Sequence, residues 1–119
     1  KILGEDRSVA VSDSMCASGL GDGEYELGGT TVYVKGGKAL LADGTIAAST
    51  TNIFAEFRNI ISFGVPVRQA VKSCTINPAR AIGVDGVTGS IAVGKRADFT
   101  VLSSDLKELE CVYIKGKRI

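Results

Sequence analysis

The chain has 119 residues, with 14 Lys or Arg against 13 Asp or Glu, no His and a 45% apolar share. That length suits one ordinary domain, and the balanced charge supplies no field for nucleic acid or an anionic membrane. No apolar run approaches the roughly 20 residues of a spanning helix, and Cys16, Cys74 and Cys111 form no CxxC pair, so neither a zinc knuckle nor a disulfide framework is indicated.

Residues 8–12, "SVAVS", form a short, apolar, β-branched run that predicts a strand buried on both faces. Gly19, Gly21 and Gly23 then interrupt regular structure. From Tyr25 to Ile46 the pattern predicts hairpins. Val32 and Val34 alternate with polar neighbours, Gly36-Gly37 and Asp43-Gly44 supply tight turns, and Ala39-Leu40-Leu41 runs back between them.

The middle is predicted helical. Ile53, Phe54, Phe57, Ile60 and Ile61 make a single apolar stripe, preceded by Ser49, Thr50, Thr51 and Asn52 as candidate caps and followed by Gly64. A second helix opens near Pro66 with Val67, Ala70, Val71 and Cys74 on one face. "NPARAIG" predicts a short helical turn closed by Gly83. The tail returns to strands: Ile91 and Val93 before a Gly-Lys turn, a run from Phe99 to Leu102, and "ECVYIKGKRI" with a hairpin at residues 115–117. One strand plus the helices predict part of an α/β body, and the remaining strands a separate small β unit.

Asp13, at the end of the first predicted strand, reads as a helix cap, a turn former or a proton-transfer group. In α/β folds, sites form beyond the carboxyl ends of such strands, and Ser14, Ala17, Ser18 and Gly19 leave room for a ligand. Cys16 has no His to deprotonate it and reads more simply as a small buried residue than as a nucleophile. Glu24 and Glu26 read as a solvated strand face, Lys115, Lys117 and Arg118 as a solvated hairpin, and "GDG" at 21–23 is too short for a calcium loop. "GTIAAST", residues 44–50, leads from a strand into the first helix. It reads either as a strand end with a cap, or as a loop whose N–H groups near Ser49 and Thr50 meet a ligand's oxygens.

Four stretches, "VSDSM" with "GDGEYELGG", "DGTIAAST", "NPARAIGV" and "GSIAVGKRADFTVL", together resemble the C-terminal third of the N-acetylglucosamine-6-phosphate deacetylases of the amidohydrolase superfamily. The last two are general to amidohydrolases and the first two more specific to the deacetylases. The resemblance implies an α/β fold: the C-terminal portion of a metal-dependent (β/α)8 barrel, its last strand plus helices, with strands of a small β-sandwich. Residues 1–24 and 47–84 would then supply the last barrel strand, an active-site loop and barrel-packing helices. Residues 25–46 and 85–119 would supply the sandwich.

By the same resemblance, Asp13 is catalytic, taking a proton from metal-bound water and delivering it to the departing amine. Ile46, Ala47, Ala48 and Ser49 match the substrate-contacting loop, although the family commonly has Gly where Ala48 stands. The implied cofactor is a divalent metal, zinc or similar, whose Glu and His ligands this His-free segment does not supply. The expected activity is removal of the N-acetyl group of N-acetylglucosamine 6-phosphate, in a cytoplasmic enzyme whose only expected partners are its sugar phosphate and a second copy in a homodimer. The start at Lys1, without Met, leads us to expect a longer parent chain, and the segment alone to be inactive. The alternatives are an amidohydrolase acting on a cyclic amide or another N-acetyl sugar, and a non-catalytic structural or interaction module.

Overall fold

The computed structural model describes residues 4–119, which divide into two compact units. One comprises Val11–Glu56. The other comprises residues 4–10 together with Phe57–Ile119.

The first unit is a four-stranded antiparallel meander, ordered β1 (Gly23–Leu27), β2 (Thr30–Lys35), β3 (Lys38–Leu40) and β4 (Ile46–Ser49). Its first two turns each need two consecutive left-handed residues. Gly28-Gly29 and Gly36-Gly37 supply them, with φ of 59°, 84°, 56° and 75°. Asp22 reinforces the second turn, both its carboxylate oxygens accepting from the Gly36 N–H at 3.0 Å. At the third turn the Asp43 carboxylate accepts from the Thr45 N–H at 2.9 Å, which holds its carboxyl below the ordinary 3.8. The period-2 rule then fixes the core: Val32 and Val34 turn inward, Tyr33 outward. Val32, Val34 and Ala39 pack with Met15 and Ala17 in one apolar cluster, bordered by Tyr25, Leu41, Ala47 and Ala48.

Helix α1 (Ile53–Ser62) starts in this unit and ends in the other. Among the candidate caps Asn52 does the capping, its Oδ1 accepting the Ala55 N–H at 2.9 Å. Gly64, at φ 81°, closes the helix as expected.

The second unit holds α2 (Val67–Cys74), α3 (Ile76–Ala81) and a three-stranded antiparallel sheet, β5 (Phe99–Leu102), β6 (Leu109–Ile114) and β7 (Lys117–Arg118). Asn77, 3% exposed, donates to the Glu5 and Ser8 carbonyls at 2.7 and 2.8 Å, so α3 grips the chain entering the unit. Lys72 pairs with Asp6 and Glu5. These contacts raise the Lys72 ammonium and lower the Asp6 carboxyl, chiefly through the hydrogen bond between them. Gly89 lies against α3 so closely that a Cβ there would sit 2.6 Å from the Ala79 Cβ. On the sheet, Phe99 and Tyr113 are register partners and their rings stack with centroids 4.5 Å apart.

Two strand expectations are corrected. Residues 8–12 do not form a strand buried on both faces: none is assigned to a ladder, and Val11 is 72% exposed. A strand exists only through a partner's ladder, and here the Ala10 N–H instead donates to the Ser73 carbonyl at the end of α2. Ile91 and Val93 likewise lie outside any strand and are exposed, since the turn around Lys95 is closed by Lys95–Ala92 and Arg96–Val87 backbone bonds rather than by a ladder. On α2 the buried residues are Ala70 and Ser73, while Val67 and Val71 of the expected apolar face are exposed.

Candidate functional site

The sequence points to two segments of the first unit, Asp13 and residues 46–49, and the backbone joins them. Ser49 donates its N–H to the Asp13 carbonyl at 2.9 Å and accepts the Met15 N–H at 3.0 Å. A single parallel bridge therefore pairs Ser14 with Ser49. The N–H of Ser49 is consumed by this bridge, so it is not available to a ligand's oxygen as one reading of the loop supposed. Ile46, Ala47, Ala48 and Ser49 constitute β4 rather than a free loop. Ala48 pairs with Ala39 and borders the core, and Ile46 is exposed.

Asp13 is exposed and has a left-handed backbone, φ 51°. Asp tolerates that region better than most side chains, because its short polar chain bonds locally, but the conformation is still uncommon outside Gly. Such outliers concentrate where a side chain must be aimed. The turn also explains how a run of small residues follows the acid: Ser18 and Leu20 donate backbone N–H groups to the Met15 and Ala17 carbonyls.

Hydroxyl groups lace the loop after Asp13 to the segment after β4, and this lacing was not read from the sequence. Ser14 Oγ donates to the Thr51 carbonyl, and Ser18 Oγ reaches the Thr50 and Thr51 carbonyls at 3.0 Å each. Thr51 in turn bonds Glu56 through its hydroxyl at 2.6 Å and Ser49 Oγ through its N–H at 2.9 Å. The available signal was the density of Ser and Thr in both segments, which Asn52 capping alone does not require.

Cys16 departs from expectation. It is exposed rather than buried, with Sγ donating to the Glu26 carbonyl at 3.3 Å. Glu24, Glu26, Lys115, Lys117 and Arg118 are solvated as expected. Among the described residues no three His, Cys, Asp or Glu side chains converge on a point that could hold a metal ion. The residues present therefore do not fit a metal site, and no step below is routed through one. No helix of the described residues is long and apolar enough to cross a membrane.

The family profile of the amidohydrolases matches residues 31–119, three quarters of the chain and including β4. The chain belongs to the amidohydrolase family. Amidohydrolases are generally metal-dependent. Among curated proteins, an N-acetylgalactosamine-6-phosphate deacetylase of Escherichia coli O157:H7 is 39% identical over 114 residues, covering 95% of this chain and 30% of that one. Among solved structures, the N-acetylglucosamine-6-phosphate deacetylase of Pasteurella multocida superposes with a TM-score of 0.89 at 30% identity, over 96% of this chain and 30% of that one. An aspartate-to-alanine mutant of the Mycobacterium smegmatis deacetylase, in complex with N-acetyl-D-glucosamine 6-phosphate, superposes with a TM-score of 0.88 at 36% identity, over 97% and 31%. The chain thus spans under a third of the length of these three amidohydrolases.

Proposed function

We propose that this chain is the part of a hexosamine-6-phosphate deacetylase that carries its proton-transfer carboxylate and one wall of its substrate site. The observation that carries the reading is the parallel bridge between Ser14 and Ser49, in which the Ser49 N–H bonds the Asp13 carbonyl. It sets an acid held in a left-handed turn beside the segment matched to the family's substrate loop. The overall reaction adds water to the acetyl carbon and breaks its bond to nitrogen, releasing acetate and a free amine. Asp13 would take the proton from the attacking water and return it to the amine nitrogen as that bond breaks.

In the complete protein, residues 8–12 would gain strand neighbours and become the last strand of a (β/α)8 barrel. Residues 1–24 and 47–84 would belong to that barrel, and 25–46 and 85–119 to a β-sandwich. The divalent ion, zinc or similar, would be held by groups other than those described here, in a cytoplasmic enzyme.

N-acetylglucosamine 6-phosphate is the substrate favoured by the "GDGEYELGG" stretch and by the two superposed deacetylases. N-acetylgalactosamine 6-phosphate is the second reading, favoured by the 39% identity to the Escherichia coli protein. The test is acetate release by the complete metal-loaded enzyme from both sugars, with and without the 6-phosphate. Strong preference for the phosphorylated sugars supports the reading, and the preferred epimer chooses between the two. Equal turnover of unphosphorylated sugars, or hydrolysis of cyclic amides alone, overturns it.

A further inference from the structure

The hydroxyl network beside Asp13 has a proton direction that its geometry fixes. Glu56 Oε1 accepts from the Thr51 hydroxyl at 2.6 Å, so that hydroxyl spends its one proton there. Thr51 Oγ1 lies 2.8 Å from Ser49 Oγ and has no second proton to offer, so in that contact Ser49 must donate. Ser49 Oγ also accepts the Thr51 N–H at 2.9 Å. Its proton is therefore committed, and what remains on that oxygen is a lone pair. The backbone of Ser49 is equally fixed, since its N–H and carbonyl bond Asp13 and Met15.

We propose that Glu56 is a positioning residue: through Thr51 it holds the Ser49 hydroxyl as a hydrogen-bond acceptor, so that the ligand group meeting Ser49 must be a donor. An acetamido N–H or a sugar hydroxyl fits this requirement, and an ester or ether oxygen does not. The inference rests on the deacetylase reading for the identity of the ligand, but the relay itself lies within residues 49–56.

The test compares the acetamido sugar 6-phosphate with its 2-O-acetyl ester analogue, which lacks the N–H, in the complete metal-loaded enzyme. Wild type is expected to show the higher KM for the ester. Thr51→Val and Glu56→Ala release the Ser49 proton to point at ligand. They should raise the amide KM about 5- to 10-fold and narrow the ester-to-amide KM ratio by about fivefold, with kcat little changed, while Thr51→Ser restores the wild-type ratio. A ratio that does not move in either variant overturns the proposal, because a merely structural role would shift both substrates together. Glu56→Ala, a half-buried helical position where Ala favours the helix, guards against a Thr51 variant failing to fold. If the wild-type enzyme hydrolyses neither compound, the deacetylase reading falls, and hydroxyl-proton exchange in the 119-residue chain decides the relay by NMR. A slowly exchanging Thr51 hydroxyl proton that Glu56→Ala makes fast upholds it. A proton that exchanges fast in both overturns it.

Discussion

Between residues 11 and 56, Met15, Ala17, Val32, Val34 and Ala39 form one buried apolar cluster. The other unit buries Phe57, Ala70 and Ala79 alongside the polar Ser73 and Asn77, and exposes Phe63, Ile82, Ile91 and Val93. The meander follows from alternation: each strand turns one face inward, and Gly pairs set the register. The helical unit is fastened at points instead, by Asn77 on two carbonyls, Lys72 on two acids and Asp98 across its sheet. A hydrophobic cluster tolerates small changes by distributing them, whereas a point fastening has no neighbour to share its loss. The candidate site sits on the unit with the continuous core, which suits a carboxylate that must be aimed.

The largest effect should separate chemistry from stability within the meander unit. Asp13→Asn keeps a side chain that tolerates φ 51° and removes only the ionisable oxygen. In the complete enzyme, turnover should fall on the order of 10²- to 10⁴-fold while the melting temperature stays near wild type. A near-wild-type rate would remove Asp13 from the mechanism.

Next comes Gly89→Ala, which strikes a point fastening. The added methyl meets the Ala79 Cβ at 2.6 Å, the Ile76 Cα and Thr75 carbonyl at 3.2 Å, and a φ of 86° that Ala adopts poorly. Overpacking and backbone strain together should cost about 2–4 kcal/mol in denaturant unfolding. A loss under 1 kcal/mol, taken as roughly the scale of an ordinary surface change, would show that this unit relaxes more freely than its contacts suggest.

Val32→Ala probes the continuous core, where Val32 is 0% exposed. Removing two methyl-sized volumes should cost about 2 kcal/mol, less than the Gly89 change, because the neighbouring side chains can close part of the cavity. Finding the two costs reversed would invert the contrast between the units.

The smallest effect is a pH dependence of the second sheet. Asp98 accepts the Lys115 N–H at 2.8 Å, and this bond, aided by Arg96 and Thr88, holds its carboxyl below the ordinary 3.8. A lowered folded-state value means the native state favours the charged form. The stabilisation is then complete above the ordinary value and is lost as pH falls through the lowered one. Asp98→Asn should weaken the β5–β6–β7 sheet near pH 7 and flatten the acid limb of its melting profile. An unchanged acid limb would assign that limb to Asp6, Asp43 or Asp105, whose carboxyls are also held low.

Local rules made much of this chain legible. Val32 and Val34 faced inward because strand side chains alternate, Gly36-Gly37 turned because only Gly adopts two left-handed residues cheaply, and α1 lay where a 3.6-residue stripe met Gly64. The same rules misread Ile91 and Val93, and residues 8–12 join no ladder within this chain, since an apolar β-branched run states a preference that only a partner strand can satisfy. Cys16 was misplaced for a similar reason: the fold leaves it exposed with its thiol on the Glu26 carbonyl of β1, a contact ten residues away that its own neighbours do not announce.

The candidate site divides along the same line. The proposal that Asp13 and residues 46–49 form the site came from the sequence, because four stretches in order resemble one family. That the two are bonded through Ser49 N–H and the Asp13 carbonyl, and that Ser14, Ser18, Thr51 and Glu56 surround them, came only from the tertiary structure. The contacts from Asp13, Ser14 and Ser18 to residues 49–51 join positions more than 30 apart, and a hydrogen bond depends on distance and angle in space, which no local pattern encodes.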